Sequence, residues 1–291
     1  MKVAIIGAGG IGSTFAVQLA RAGHEVSVVA RNKRLVQLQQ QGGVQTAEGA
    51  VVKLDVSAAL DQAVAWDLVL VSVLAHQVEP LLAALTGSAA KRIMFMFNTF
   101  EPLQPLRDAV GNERFAFGFP SILARVDAQG LLESSIQRHG LRTTVTDQSL
   151  ADIFSAAGIP SVVSTQMEGW LRSHAAAVVP MILASNVAQQ RHAGITWREA
   201  VGLADVMEEA FALVRKLGFN VVPTAHSVIG RLPPTAKAAL LWSATRNETV
   251  RSSGAAAVVE ARHLVDAMLA AAPSGWPELE RLRPQLQAEV G

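Results

Sequence analysis

The sequence predicts an α/β fold, with an N-terminal Rossmann-type doubly wound sheet followed by an all-helical C-terminal domain. Three observations predict it. Short apolar runs without alternation, such as Val3-Ala4-Ile5-Ile6, Val26-Ser27-Val28-Val29 and Leu68-Val69-Leu70-Val71-Ser72-Val73, are interleaved with helical patterns through the first half. Strands covered on both faces look like this. A glycine cluster, Gly7-Ala8-Gly9-Gly10-Ile11-Gly12, joins the first of these runs to the first helical pattern. Past about Gln166 the strand signals stop and helical patterns take over.

In order, the strand at Val3-Ala4-Ile5-Ile6 leads to a helix over 11–22 that ends at Gly23, then to the strand at Val26-Ser27-Val28-Val29. After the strand that starts at Leu68, a helix is expected over 77–85 and another strand at Ile93-Met94-Phe95-Met96-Phe97. Strand, helix and strand in succession argue for parallel pairing through crossovers. From 115 to 146 the pattern is mixed, with Gly130, Gly140 and the alternating Thr143-Thr144-Val145-Thr146; this reads as the sheet edge, with antiparallel pairing open. Helices are expected over 167–190, 197–217, 234–250 and 254–271. The boundary falls near Ser164, giving an α/β domain at 1–165 and a helical domain at 166–291.

Composition agrees with two folded domains. The length of 291 residues is about two domains' worth, and 50% hydrophobic against 17% charged residues describes a chain with a sizeable core. A net charge of +1 offers no field for nucleic acid. With no cysteine, disulfides, thiolate catalysis, Cys-ligated zinc and iron–sulfur clusters are excluded. There is no HExxH zinc spacing and no GxSxG elbow. The apolar run at Val3-Ala4-Ile5-Ile6 is shorter than the roughly 7 to 15 residues of a secretion signal core. The stretch 175–184 contains Pro180 and falls short of the roughly 20 residues that span a bilayer. A soluble, cytoplasmic protein without membrane or nucleic-acid partners is expected.

GxGxxG alone is a weak signal, but here it follows an apolar strand and opens a helix inside a strand–helix–strand unit. Gly7 permits the tight turn, Gly9 leaves room for a pyrophosphate, Gly12 lets helix and strand pack closely, and the N–H groups around Gly10 and Ile11 face the phosphates. An NAD enzyme places a carboxylate at the end of the second strand to hold the ribose 2′-hydroxyl. This chain has Ala30-Arg31-Asn32-Lys33-Arg34 there. A guanidinium clasps a 2′-phosphate through two hydrogen bonds where a carboxylate would repel it. Arg31 therefore points to NADP, with Lys33 or Arg34 as helpers; the alternative is that these are ordinary solvated charges.

These features resemble the ketopantoate reductase (2-dehydropantoate 2-reductase) family. Its opening strand, GxGxxG, Gly-His-Glu-Val and Arg match the segment from Gly7 through Gly23-His24-Glu25-Val26 to Arg31. Its Lys-Ala-x-Gln after a strand corresponds to Leu74-Ala75-His76-Gln77, its Asn-Gly to Asn98-Thr99, and its Trp-x-Lys to Trp170-Leu171-Arg172. The resemblance implies a Rossmann domain plus a helical domain. The implied reaction is NADPH-dependent reduction of the 2-oxo acid 2-dehydropantoate to pantoate, in pantothenate biosynthesis. It also places Leu74 and Asn98 near the cofactor and leaves a homodimer open.

The departures fall at the reacting centre. Arg172 stands where the family has its proton-donating lysine, and a guanidinium is a poor donor near neutral pH. Ala176 and Pro180 stand where the family has two asparagines, and Leu74 replaces a lysine. The family's Ser, Asp and Glu in its last helices find only Ser243, Asn247 and Glu260, at altered spacing.

Arg172 either binds a substrate carboxylate or is a surface residue, and Glu260 either pairs with a cation or faces solvent. Both are the candidate catalytic residues. His174 is a candidate acid, although positions two apart on a helix cannot share a face, so it does not stand beside Arg172. Asn98 is either a cofactor contact or a turn former, and Leu74 either a cofactor contact or packing. Trp170, Trp197 and Trp242 read as core or interdomain packing. The expected activity is thus an NADPH-dependent 2-oxo acid reductase. The alternatives are a catalytically altered homologue that senses NADP(H) and a reductase for a different carbonyl or imine.

Overall fold

The structure, a computed structural model, describes residues 1–137, 140–255, 257–272 and 274–290, with side chains described in all of these except 253, 255 and 284–290. The chain divides into two compact units. One comprises Met1–Phe97 and Leu103–Met167; the other comprises Asn98–Pro102 and the chain from Glu168 onward.

In the first unit β1 (Lys2–Ile6) leads through α1 (Gly10–Arg21) to β2 (Glu25–Val29). Next, α2 (Asn32–Gln41) and the hairpin of β3 (Gly43–Gln45) with β4 (Val51–Lys53) lead to β5 (Asp55–Ser57). There follow β6 (Leu68–Val71), α3 (Leu82–Gly87), β7 (Ile93–Met96), α4 (Gln104–Val110) and β8 (Phe115–Phe119). A second hairpin, β9 (Ile122–Val126) with β10 (Leu132–Ile136), precedes β11 (Thr143–Val145), α5 (Gln148–Ala156) and β12 (Ser161–Val163). The eight-stranded sheet has the order β12-β11-β8-β7-β6-β1-β2-β5. All its pairs are parallel except β11 against β8. Outward from β1, β2 and β5 lie on one side and β6, β7 and β8 on the other. This is the doubly wound order, with its reversal between β1 and β6, where ligands of such sheets bind.

The unbroken apolar runs are explained by burial: every residue of β6 and β7, and all of β1 after Lys2, is buried. The core of this unit gathers Ile5, Leu19, Leu38 and Leu70, with Phe15 edge-on to Phe154 at 5.0 Å. Each such side chain contributes about 1.5–3 kcal/mol by leaving water.

Three expectations need correction. The helix expected over 77–85 is two 3-10 turns, Ala75–Gln77 and Glu79–Leu81, before α3. Pro80 in the second turn lacks a donor N–H and cannot continue a ladder that starts before it. The region 115–146 is only partly sheet: β8 and β11 join it, with the antiparallel pairing left open by the sequence, while β9 and β10 pair with each other in a separate sheet, with one further bridge from Leu132 to Thr46. The outermost strand on that side is β12.

The second unit contains α6 (from Met167 to Arg191), α7 (Trp197–Lys216), α8 (Thr224–Arg231), α9 (Pro234–Ala244), α10 (Glu248–Ala255), α11 (Val258–Ala271) and α12 (Pro277–Val290). Its core includes Val179, Met207, Phe211, Leu241, Leu264 and Phe100. The single helix expected over 234–250 is two. Asn247 Oδ1 accepts from the Thr249 and Val250 N–H groups and so starts a new helix. Only Trp170 fits the packing expected of the tryptophans. Trp197 is 48% exposed and Trp242 36%, paired edge-on at 6.5 Å on the surface of this unit.

Candidate functional site

The turn between β1 and α1 is built as a cradle. Gly7 has φ 102°, outside the range most side chains adopt, and a Cβ there would lie 2.8 Å from Val73 Cγ1. A Cβ on Gly10 would lie 2.5 Å from the Ala124 carbonyl oxygen of β9, and one on Gly12 would land on the Gly7 carbonyl. At Gly9 a Cβ would meet nothing within 4 Å. The first, third and fourth glycines of the cluster are thus fixed by the protein's own packing, whereas Gly9 borders open space. No side chain caps α1, so the N–H groups of its first turn, at Gly10, Ile11 and Gly12, have no side-chain acceptor. A dinucleotide fits such a site: backbone donors and the positive end of a helix dipole face room that a β-carbon would fill.

Side chains that the sequence reading passed over hold this cradle. Ser72 Oγ, just past β6, donates to the Gly7 carbonyl at 2.9 Å. Ser13 Oγ donates to the Ala8 carbonyl at 3.0 Å. Arg34 was expected as a phosphate helper, but its guanidinium is engaged elsewhere. Nε donates to Ala8 O at 2.9 Å, Nη1 to Gly130 O at 2.9 Å and Nη2 to Ser13 Oγ at 3.2 Å. Burial lowers its pKa from the usual arginine range. Only tertiary contacts could reveal that role, since Gly130 lies far along the chain. Arg31 differs: it is exposed at the start of α2 and makes no ion pair among the described residues. Leu74 follows β6, 37% exposed, so packing does not account for it.

In the helical unit the structure brings Asn98 and Glu260 together. Burial raises the Glu260 pKa above the ordinary carboxylate value, and a hydrogen bond from the Asn98 side chain opposes that rise in part. Asn98 Oδ1 is covered and accepts no hydrogen bond among the described residues. Of the other candidates in these last helices, Ser243 is exposed with its hydroxyl on the Leu240 carbonyl, and Asn247 is occupied as a cap.

Arg172 is neither a surface residue nor beside Glu260 in any hydrogen bond of the described residues; it is 4% exposed. Its guanidinium carbon lies 4.9 Å from the Phe100 ring centre and 4.5 Å from that of Phe219. Nη2 donates to Glu168 Oε1 at 2.9 Å, one helical turn back. Nε is covered, with no acceptor among the described residues. Cation–π contacts of this kind contribute about 1–2 kcal/mol when desolvated. Neither Phe100 nor Phe219 was legible as a partner from sequence, because both lie in turns outside any periodic pattern.

His174 stacks on Trp170 with ring centres 5.3 Å apart, and His226 stands edge-on to both, at 5.4 and 5.7 Å. Burial lowers the His174 pKa to about 3 and that of His226 to about 4. Both are neutral at physiological pH, so His174 has no proton to give there. Ala176 and Pro180, at the family's asparagine positions, are buried.

Residues 3–145 match the family model described as ketopantoate reductase PanE/ApbA. This segment belongs to the PanE/ApbA ketopantoate reductase family. The PanE/ApbA segment contains the whole glycine cradle, Arg31, Leu74 and Asn98, while Arg172 and Glu260 lie beyond it. A PanE/ApbA family ketopantoate reductase from Ralstonia eutropha JMP134 is 24% identical, with 99% of this chain and 98% of that one covered and a TM-score of 0.75. D-mandelate dehydrogenase, solved with NADH and anilino(oxo)acetate, is 17% identical over 99% and 97% of the two chains, at a TM-score of 0.75. The 2-dehydropantoate 2-reductase from Geobacter metallireducens GS-15 is 14% identical over 99% and 100%, at 0.76. At these identities the likeness establishes a shared fold. No curated protein sequence matches.

Among the described residues no helix is long and apolar enough to cross a membrane. Among the same residues no group of three or more His, Asp or Glu side chains could hold a metal ion.

Proposed function

We propose that the protein is an NADPH-dependent reductase of a 2-oxo acid. The observation that carries this reading is the glycine cradle, bordering open space at Gly9 and followed at the end of β2 by Arg31, exposed and without an ion pair among the described residues. NADPH, when bound, supplies a hydride to the carbonyl carbon of the substrate. Gly7, Gly9, Gly10, Ile11 and Gly12 hold its pyrophosphate, Arg31 its 2′-phosphate, and Leu74 and Asn98 its nicotinamide half.

The developing alkoxide needs a proton, and Glu260 is the donor that best fits. Its raised pKa keeps a share of protonated acid nearer to neutral pH than an ordinary carboxyl group has. Arg172, whose guanidinium lies against the Phe100 and Phe219 rings, suits binding of the substrate carboxylate. The direct test is a titration of NADPH against NADH, followed by loss of reduced-nicotinamide absorbance with a panel of 2-oxo acids. Absence of dinucleotide binding rejects the proposal. Binding without turnover on any member favours the sensor alternative.

Within this reading, an aromatic 2-oxo acid is favoured over 2-dehydropantoate by one observation. Phe100 and Phe219 flank Arg172, while Ala176 and Pro180 remove the two polar side chains that the family carries there. The dehydrogenase above was solved with an aromatic oxo acid analogue, anilino(oxo)acetate. Phenylglyoxylate and 2-dehydropantoate compared at equal concentration decide between the two.

A further inference from the structure

A second group of cations lies in the helical unit, around a cavity of about 310 Å³ lined by Arg215, Phe219, Asn220, Val221, Ser227 and Arg231. No carboxylate lines it, and among the described residues neither arginine is ion-paired. Arg215 and Arg231 sit in the last turns of α7 and α8. A cation at a helix C-terminus gains some tenths of a kcal/mol from the dipole, which accounts for the residue type at each position. It does not account for two helix ends each placing an arginine in the lining of one cavity.

Three features make this a built site. Arg215 Nη2 donates to the Gly230 carbonyl at 2.9 Å, which fixes the guanidinium plane. Gly230 leaves room for that bond, since a Cβ there would lie 3.3 Å from the same nitrogen, tighter than an ordinary contact. The Phe219 wall is held from its own ring face by Arg172 at 4.5 Å, so it is set before any ligand arrives. Ser227 adds a hydroxyl that can donate to an oxyanion.

We propose that this cavity binds a dianionic phosphoryl group of a small molecule, its oxygens shared between Arg215 and Arg231. Two planar forks without a neighbouring acid match a tetrahedral dianion better than a single carboxylate. The inference does not depend on the reductase reading, because neither arginine belongs to the residues assigned to NADPH or substrate.

The experiment is calorimetric titration of the full chain, free of dinucleotide, with inorganic phosphate and separately with acetate at matched ionic strength. One saturable phosphate per chain is expected, with acetate at least about 10-fold weaker. Arg231→Ala, whose side chain makes no hydrogen bond or ion pair among the described residues, weakens phosphate about 10- to 100-fold, the usual range for losing hydrogen bonds to a charged group. Arg215→Ala does the same, with circular dichroism reporting whether α8 is kept. Arg198→Ala, exposed elsewhere in the same unit, is unchanged. No saturable phosphate heat, equal binding of acetate, or phosphate affinity unchanged in Arg231→Ala each overturns the proposal.

Discussion

Asn98 donates a side-chain hydrogen bond to Glu260, tying the turn after β7 to α11 within the helical unit. The bond stabilises the carboxylate and burial opposes it, with burial the larger effect, so the Glu260 pKa is raised. If Glu260 is the proton donor, Glu260→Gln lowers kcat by about 10²- to 10⁴-fold, the usual share of general acid catalysis. NADPH affinity stays within about threefold. Stability moves the other way. A raised carboxyl pKa contributes stability below the unfolded value, near 4.5, and loses it as pH rises through the folded value. The Gln variant therefore gains melting temperature over wild type at neutral pH, and the gain fades in acid. Wild-type turnover in this variant would remove Glu260 from the chemistry.

Arg31 and Arg34 are three residues apart and have opposite assignments. Arg31→Ala weakens NADPH about 10- to 100-fold, as expected for loss of charge-assisted hydrogen bonds of roughly 1.5–3 kcal/mol, and leaves NADH nearly unchanged. Arg34→Ala releases Ala8, Ser13 and Gly130 together, so it weakens both dinucleotides and lowers the melting temperature. Equal losses of NADPH and NADH in Arg31→Ala, read by fluorescence titration, show that the 2′-phosphate has another ligand.

The glycines separate folding from binding. Gly12→Ala drives a methyl into the Gly7 carbonyl and the Ser72 hydroxyl, costing about 1–3 kcal/mol as overpacking does. Gly9→Ala meets nothing within 4 Å and leaves the melting temperature within about a degree or two, while dinucleotide affinity falls at least about 10-fold. A Gly9→Ala protein that binds NADPH like wild type is incompatible with a phosphate at that point.

The same division explains what was legible in the sequence. β1, β6 and β7 declared themselves because both faces are buried and no alternation interrupts them. The glycine cluster was legible because each position answers a local need. The short β5 and β12 at the two sheet edges carry only three residues each, too few to set a period. Asn98 and Glu260 could be named separately, yet their pairing is tertiary. The contacts of Arg172 with Phe100 and Phe219 were invisible for the same reason, and the hold of Arg34 on the cradle was hidden because two of its three acceptors are backbone carbonyls, which no sequence pattern marks.

The last prediction concerns acid. His174 and His226 stand edge-on to each other at 5.4 Å, both packed on Trp170, with pKa values lowered to about 3 and about 4 by burial. Unfolding exposes both to water, where they titrate near 6.5. Below that pH the unfolded chain binds protons that the folded chain refuses. The stability these two residues contribute is therefore whole above about 6.5 and is lost as pH falls toward 4 and 3. His226→Phe keeps an aromatic edge against Trp170 and removes one of the two titrations. Between pH 6.5 and 4 its denaturation midpoint falls less steeply than that of wild type, by up to one proton in the linkage slope. Parallel slopes for the two proteins in urea titrations over this range would mean that the fold accommodates a charged His226 after all.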